Sequence, residues 1–159
     1  MDNLVDTLSK ALLEKELKLV TAESCTGGMI SVAMTGRAGS SAVFDRGFVT
    51  YSNTSKQENL NVSPNILNNY GAVSVQCADA MAIGALKNSK ADISVSVTGI
   101  AGPGGGSDEK PVGLVYIGVG MMGKEPQVTT CHFSGDRHDI RQQTCKRALS
   151  LLVETVNTI

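Results

Sequence analysis

The chain has 159 residues, 42% hydrophobic and 18% charged, and 14 basic against 15 acidic side chains leave a net charge of -1. These values exclude an intrinsically disordered polymer and the basic footprint of a nucleic-acid binder, and they fit one domain with enough chain to bury a core. No apolar run reaches the ~18 residues of a membrane span, and the first ten residues carry Asp2 and Asp6 without a signal pattern, so a cytoplasmic protein is expected.

Residues 2–16 place Leu4, Leu8, Ala11 and Leu12 on one face, which predicts an amphipathic helix. Residues 17–22 are apolar with β-branched Val20 and Thr21, and predict a buried strand. That strand runs through Glu23-Ser24-Cys25-Thr26-Gly27-Gly28 into a helix over 29–34, which Gly36 ends. Residues 37–41 read as a loop and 44–52 as a strand. The polar stretch 53–64 opens with a short helix through Lys56. Residues 74–87 predict a helix capped by Ser74, with Val75, Ala78, Ala82, Ala85 and Leu86 facing inward. Ile93, Val95 and Val97 alternate in a strand over 91–98. A glycine-rich loop over 99–111 leads to a strand over 112–121. The turn at Gly123-Lys124 then pairs it with 128–133 as a hairpin. The last helix covers 137–156 with Cys145, Leu149, Leu152 and Val156 inward. Helices alternating with strands before a closing hairpin predict an α/β fold, a three-layer α/β/α sandwich with a mixed sheet, in a single domain over 1–159.

Several groups carry candidate chemistry. A small-residue loop at Ser24–Gly28 between strand and helix offers backbone N–H groups to a phosphate or carboxylate, or is simply a tight turn. It is not a Walker A loop, since no Gly-Lys-Ser/Thr follows. Thr98-Gly99-Ile100-Ala101-Gly102-Pro103 continues into Gly104, Gly105 and Gly106. Five glycines in eight residues after a strand suit the wrapping of an anion in amides, or a ligand-free crossover. Ser41, Tyr51 and Lys56 form a third set. A lysine whose neutral form is favoured can take a serine proton, and no Ser-His-acid set competes. The alternative makes Tyr51 a core ring, Lys56 a solvated charge and Ser41 a cap. Cys25 is a rival nucleophile beside a helix N-terminus. Asp136-Arg137 offers either a cation for phosphate or a cap with a surface arginine. The four cysteines include no Cys-x-x-Cys pair and have only His132 and His138 beside them, so free buried thiols are expected rather than a zinc site.

Taken together, Thr21-Ala22-Glu23-Ser24-Cys25-Thr26-Gly27-Gly28, Gly39-Ser40-Ser41, Gly47-Phe48-Val49-Thr50-Tyr51-Ser52-Asn53 with Lys56, Gly71-Ala72-Val73-Ser74, Thr98-Gly99-Ile100-Ala101-Gly102-Pro103, Lys110-Pro111-Val112-Gly113 and Phe133-Ser134-Gly135-Asp136-Arg137 follow one another as in a known family. Over nearly its whole length the chain resembles the CinA C-terminal domain family, in the form that stands without an amino-terminal domain. The resemblance implies an amidohydrolase that converts nicotinamide mononucleotide to nicotinate mononucleotide and ammonia in pyridine-nucleotide salvage. It places the nucleophile on Ser41, the base on Lys56, and a relaying or holding role on Tyr51. Substrate binding falls to Ser24, Cys25, Thr26, Gly27, Gly28, Thr98, Gly99, Ala101, Gly102 and Arg137. It implies no metal and no cofactor, a small-molecule nucleotide as partner rather than nucleic acid or membrane, and a homo-oligomer. The competing expectations are a catalytically silent nucleotide- or partner-binding paralogue linked to competence or DNA damage, and a cysteine amidase built on Cys25.

Overall fold

The computed structural model describes all residues, Met1–Ile159. In chain order the elements are α1 (Asp2–Glu14), β1 (Leu19–Glu23), α2 (Met29–Thr35), a 3-10 turn (Ser40–Ala42), β2 (Phe44–Val49), α3 (Asn53–Leu60), α4 (Pro64–Tyr70), α5 (Val75–Lys87), β3 (Ile93–Gly99), β4 (Leu114–Met121), β5 (Lys124–His132) and α6 (Arg137–Asn157). The strands form one sheet in the order β2-β1-β3-β4-β5. β1 lies parallel to β2 and β3, whereas β4 runs antiparallel to β3 and β5. This is the mixed sheet expected from alternating elements followed by a hairpin. No helix is long and apolar enough to cross a membrane.

The pleat explains the two cores. Leu19, Ile93, Val95 and Val97 join Leu8, Leu12, Ile30, Met34, Leu149 and Leu152 in a cluster of 23 buried residues on the face covered by α1, α2 and α6. Val20 and Ala22 point the other way, into a cluster of 10 with Leu60, Leu67, Cys77 and Met81 of α3–α5. On that second face β3 presents hydroxyls. Ser94 Oγ donates to the Ala82 carbonyl (2.9 Å), Ser96 Oγ to Ala78 (2.6 Å) and Thr98 Oγ1 to Ala72 (2.7 Å). Each buried polar group is therefore satisfied while α5 and the segment before it lie close against the sheet. Gly118 of β4 leaves the room for this: a Cβ there would sit 2.6 Å from Ser96 Oγ and 3.0 Å from the Ala78 carbonyl.

Local signals account for most boundaries. Ser74 Oγ accepts the Cys77 N–H, as expected of a cap. Asp136 and Asp139 cap α6 reciprocally. Val75, expected to face inward, is exposed, and the inner stripe of α5 begins at Cys77. The polar stretch 53–64 hides more helix than its composition suggests. α3 continues to Leu60, and α4 starts where Ser63 caps a helix with Pro64 in its first turn. Both lack a long apolar stripe because only Lys56, Leu60 and Leu67 of these two helices are buried.

Candidate active site

The site forms where β1 and β3 end, at the carboxyl edge of the parallel part of the sheet, where loops converge and ligands of such sheets collect. Its first wall is the turn after β1. Glu23 is fully buried, and its carboxylate accepts five hydrogen bonds. Oε2 takes the Thr26 hydroxyl (2.7 Å) and the N–H groups of Gly28 and Ile30 (3.0 Å each); Oε1 takes the N–H (2.8 Å) and hydroxyl (2.7 Å) of Ser31. The α2 N-terminus is thus satisfied from within the chain, and the helix end expected to hold a phosphate already holds a carboxylate. Gly27 (φ 60°) and Gly28 (φ 101°) make the reversal possible.

Lys56 is the central feature. It projects from α3, which Ser52 caps by accepting the Ser55 N–H, and only 1% of it is exposed. Its Nζ lies 3.0 Å from Ser24 Oγ, 2.8 Å from the Thr50 carbonyl oxygen and 3.4 Å from that of Tyr51. It forms no salt bridge, since every ion pair of the chain lies elsewhere. Burial therefore lowers the amine's pKa below the ordinary lysine value, against a smaller opposing effect of the Cys77 and Cys25 sulfurs. Three oxygens surround the amine; in its neutral form two N–H groups serve the two carbonyls and the lone pair can be turned to the Ser24 hydroxyl.

The structure does not bring Ser41 to this point. Ser41 is exposed in the 3-10 turn before β2, where its carbonyl accepts from Lys18 Nζ (3.4 Å). β1 and β2 are parallel, with Leu19 opposite Phe44 at one end and Glu23 opposite Val49 at the other. Ser24 and Lys56 belong to the second end and Ser41 to the first, about 16 Å away at ~3.3 Å per residue. The expected pairing of Ser41 with Lys56 is therefore not present; the serine that the fold sets against Lys56 is Ser24. Tyr51 keeps a place at the site, with a different contact. Its main-chain carbonyl meets Lys56, while its 60% exposed side chain places the phenol oxygen 2.8 Å from Arg137 Nη2, from which it accepts.

A cavity of about 220 Å³ is lined by Ser24, Cys25, Tyr51, Lys56, Thr98 and Gly99 together with Ala72, Val73, Ala101 and Arg137. A second hollow of about 480 Å³ adjoins it through Ala101 and Arg137 and adds Pro103, Val112, His138 and Arg141. Arg137 Nη1 donates to the Gly102 carbonyl (2.9 Å), which ties the glycine loop to α6. The backbone N–H groups of Cys25, Thr26, Ala101 and Gly102 donate to no protein acceptor. Of the expected binding residues, Ser24, Cys25, Thr98, Gly99, Ala101 and Arg137 line the cavity, and Gly102 is held beside it. Thr26, Gly27 and Gly28 do not line it; they brace the turn instead. The Thr98 hydroxyl is likewise engaged, on Ala72.

Burial raises the Cys25 thiol to about 11, which keeps it protonated and argues against the cysteine amidase. All four cysteines are free and buried. No three His, Cys, Asp or Glu side chains are grouped so as to hold a metal ion. Sequence reasoning missed Glu23, the Thr50 carbonyl and Arg141. A lone acid ending an apolar strand before a small-residue turn was the available signal for Glu23. Main-chain carbonyls and a partner 115 residues away leave none.

The family model of the CinA C-terminal domain matches residues 1–156. The chain is 54% identical over 138 residues to nicotinamide-nucleotide amidohydrolase PncC of Enterobacter agglomerans, covering 86% of this chain and 83% of that protein. It is 54% identical over 141 residues to a protein of Caldicellulosiruptor bescii described as competence-damage inducible, of which it spans 34%. It thus spans about a third of the length of several curated relatives it matches. The crystal structure of competence/damage inducible protein CihA from Agrobacterium tumefaciens superposes with a TM-score of 0.95 at 45% identity, covering 98% of this chain and 94% of that one. A CinA superfamily protein from Klebsiella pneumoniae superposes with a TM-score of 0.95 at 33% identity, covering 99% and 98% of the two chains. On motif order, fold and these matches, the chain belongs to the CinA C-terminal domain family.

Proposed function

We propose that the chain hydrolyses the carboxamide of nicotinamide mononucleotide to nicotinate mononucleotide and ammonia, a step in recycling pyridine nucleotides, with Ser24 as nucleophile and Lys56 as its base. The observation that carries this reading is the buried, unpaired amine 3.0 Å from the Ser24 hydroxyl. The name of the Enterobacter agglomerans relative supports the choice of substrate. In the first half-reaction neutral Lys56 takes the Ser24 proton as Oγ bonds to the carboxamide carbon, and the carbonyl electrons move onto its oxygen. The unpaired N–H of Cys25, which lines the cavity next to the nucleophile, is the donor for that oxyanion, worth about 3–4 kcal/mol in such a role. Collapse breaks the C–N bond, Lys56 returns the proton to the departing nitrogen, and ammonia leaves. Water, deprotonated by Lys56, then attacks the ester carbon and releases Ser24 and the carboxylate.

Arg137 and the amides of Ala101 and Gly102 supply the cation and donors for the ribose phosphate, and the exposed Tyr51 ring walls the mouth. Holding the remote phosphate orients the carboxamide at the nucleophile. The test is ammonia release from nicotinamide mononucleotide. Ser24→Ala and Lys56→Met are expected to lower kcat by at least about 1,000-fold and Ser41→Ala by less than about twofold. Loss of turnover in Ser41→Ala with full turnover in Ser24→Ala reverses the assignment. Tight binding without turnover in the unaltered protein points instead to the silent paralogue.

A further inference from the structure

We infer that Lys56 also selects the substrate by the charge of its ring: the cavity accepts a carboxamide carried on a cationic ring when the Lys56 amine is neutral and disfavours it when the amine is protonated. The inference deepens the proposed reaction and rests on that reading, because nicotinamide mononucleotide carries a pyridinium nitrogen. Two basic side chains, Lys56 and Arg137, line the cavity, and no Asp or Glu does. Arg137 is exposed and tied to the Gly102 carbonyl and the Tyr51 phenol, and its guanidinium does not deprotonate. Lys56 is buried and has no counter-ion. A pyridinium bound here meets no compensating carboxylate, and the positive charge that the cavity can shed is the Lys56 proton.

The amine is placed to take either state. Protonated, its three N–H groups face three oxygens, the Ser24 hydroxyl and the Thr50 and Tyr51 carbonyls. Neutral, it keeps the two carbonyls and accepts from Ser24. Because both states are hydrogen-bonded, a charge nearby tips the balance between them. The titratable groups that bear on Lys56 are the Cys25 thiol, from the turn after β1, and the Cys77 thiol of α5. Burial raises both to about 11, so both are uncharged at neutral pH. Lys110, in the glycine loop, bears on Cys77, and the Glu23 carboxylate is taken up by its five donors. None of these offsets a ring cation. Attack brings the carboxamide carbon to about 3–3.5 Å from Ser24 Oγ, which lies 3.0 Å from Nζ, so the ring nitrogen a few bonds on comes within about 6–8 Å of the amine. Like charges at that separation in a partly buried site weaken binding by about 10–100-fold. The form that binds the pyridinium is thus the form able to take the Ser24 proton, and binding itself readies the base.

The experiment measures dissociation constants on Ser24→Ala, so that no turnover intervenes. The ligands are nicotinamide mononucleotide and the benzamide C-riboside 5′-phosphate, a neutral analogue with carbon in place of the ring nitrogen. Both carry the same phosphate, so its titration cancels in their ratio. The dissociation constant of the pyridinium ligand relative to that of the analogue is expected to rise about 10–100-fold between about pH 9.5 and about pH 6. In Ser24→Ala/Lys56→Met the ratio should stay within about twofold over the same range. Calorimetry in buffers of different ionisation heat should show up to about one proton released per nicotinamide mononucleotide bound to Ser24→Ala, and none for the analogue. A ratio that does not change with pH in Ser24→Ala, or equal proton release with both ligands, overturns the inference, as does a pH dependence that persists without Lys56. If the double variant fails to fold, proton release by Ser24→Ala decides alone. If the unaltered protein releases no ammonia, the proposed reaction is what fails, and the two ligands still decide whether Lys56 reads the ring charge.

Discussion

Replacing Glu23 by Gln exchanges one oxygen for an NH2 at a position where only acceptors fit. Oε2 accepts three hydrogen bonds and Oε1 two, every one from a buried or half-buried donor. The less damaging amide orientation sets Nε2 against Ser31. The Ser31 hydroxyl can then turn to accept, since Thr21 Oγ1, 2.7 Å away, takes either role. The Ser31 N–H has no such freedom and is left unsatisfied, at about 1–3 kcal/mol. The three bonds kept by the remaining oxygen lose their charge assistance, falling from ~1.5–3 kcal/mol each toward ~0.5–1.5. The expected loss is about 4–7 kcal/mol, a large fraction of the ~5–15 kcal/mol that stabilises a typical domain. Urea unfolding checks this through a lower midpoint at unchanged slope, and because Ser24 directly follows Glu23, kcat should fall at least about tenfold even in urea-free buffer. A Glu23→Gln protein whose stability changes by less than about 0.5 kcal/mol refutes the idea that this carboxylate organises the turn.

The lowered pKa of Lys56 has two readable consequences. With the neutral amine as the proposed base, kcat/KM should rise with pH through an inflection below the ordinary lysine value of about 10.4, and Lys56→Arg should be inactive throughout, its guanidinium being unable to deprotonate. Between the lowered pKa and the ordinary one the unfolded chain binds more protons, so this group's contribution to stability rises with pH across that window and is absent from Lys56→Met. Denaturation midpoints that track identically in both proteins across the window count against the buried amine. Gly84→Ala tests the packing of α5. Its Cβ would lie 2.0 Å from the Leu60 carbonyl oxygen and 2.8 Å from the carbon, so backbone must move. The ~1 kcal/mol gain in helix propensity should be outweighed, giving a net destabilisation of about 1–3 kcal/mol by urea unfolding. A more stable variant shows that α3 and α5 can separate freely.

Much of the architecture was legible along the chain. The alternation of Ile93, Val95 and Val97 with hydroxyl residues, the Ser74 cap, and the inward Cys145, Leu149, Leu152 and Val156 of α6 are local consequences of period and capping, and they mark the elements and their buried faces. Order of elements and a closing hairpin were enough for a mixed sheet under two helical layers. The second half of α3 and the whole of α4 escaped because these polar helices bury little, so their apolar signal was weak.

Sequence also marked Lys56 and the turn at Ser24, but it could not pair them. Ser41 is 15 residues from Lys56 and Ser24 is 32, and along the chain the nearer hydroxyl was the natural partner. The choice was made by the parallel arrangement of β1 and β2. Parallel strands bring their ends together like with like, so the residue after β1 meets the residues after β2, while anything preceding β2 is carried a full strand length away. The same three-dimensional closure brought Arg141 from the last helix onto the Cys25 and Thr26 carbonyls, 116 and 115 residues distant. Periodicity and capping act over a few residues and are written locally; a catalytic contact depends on which strand ends coincide, and only the assembled sheet decides that.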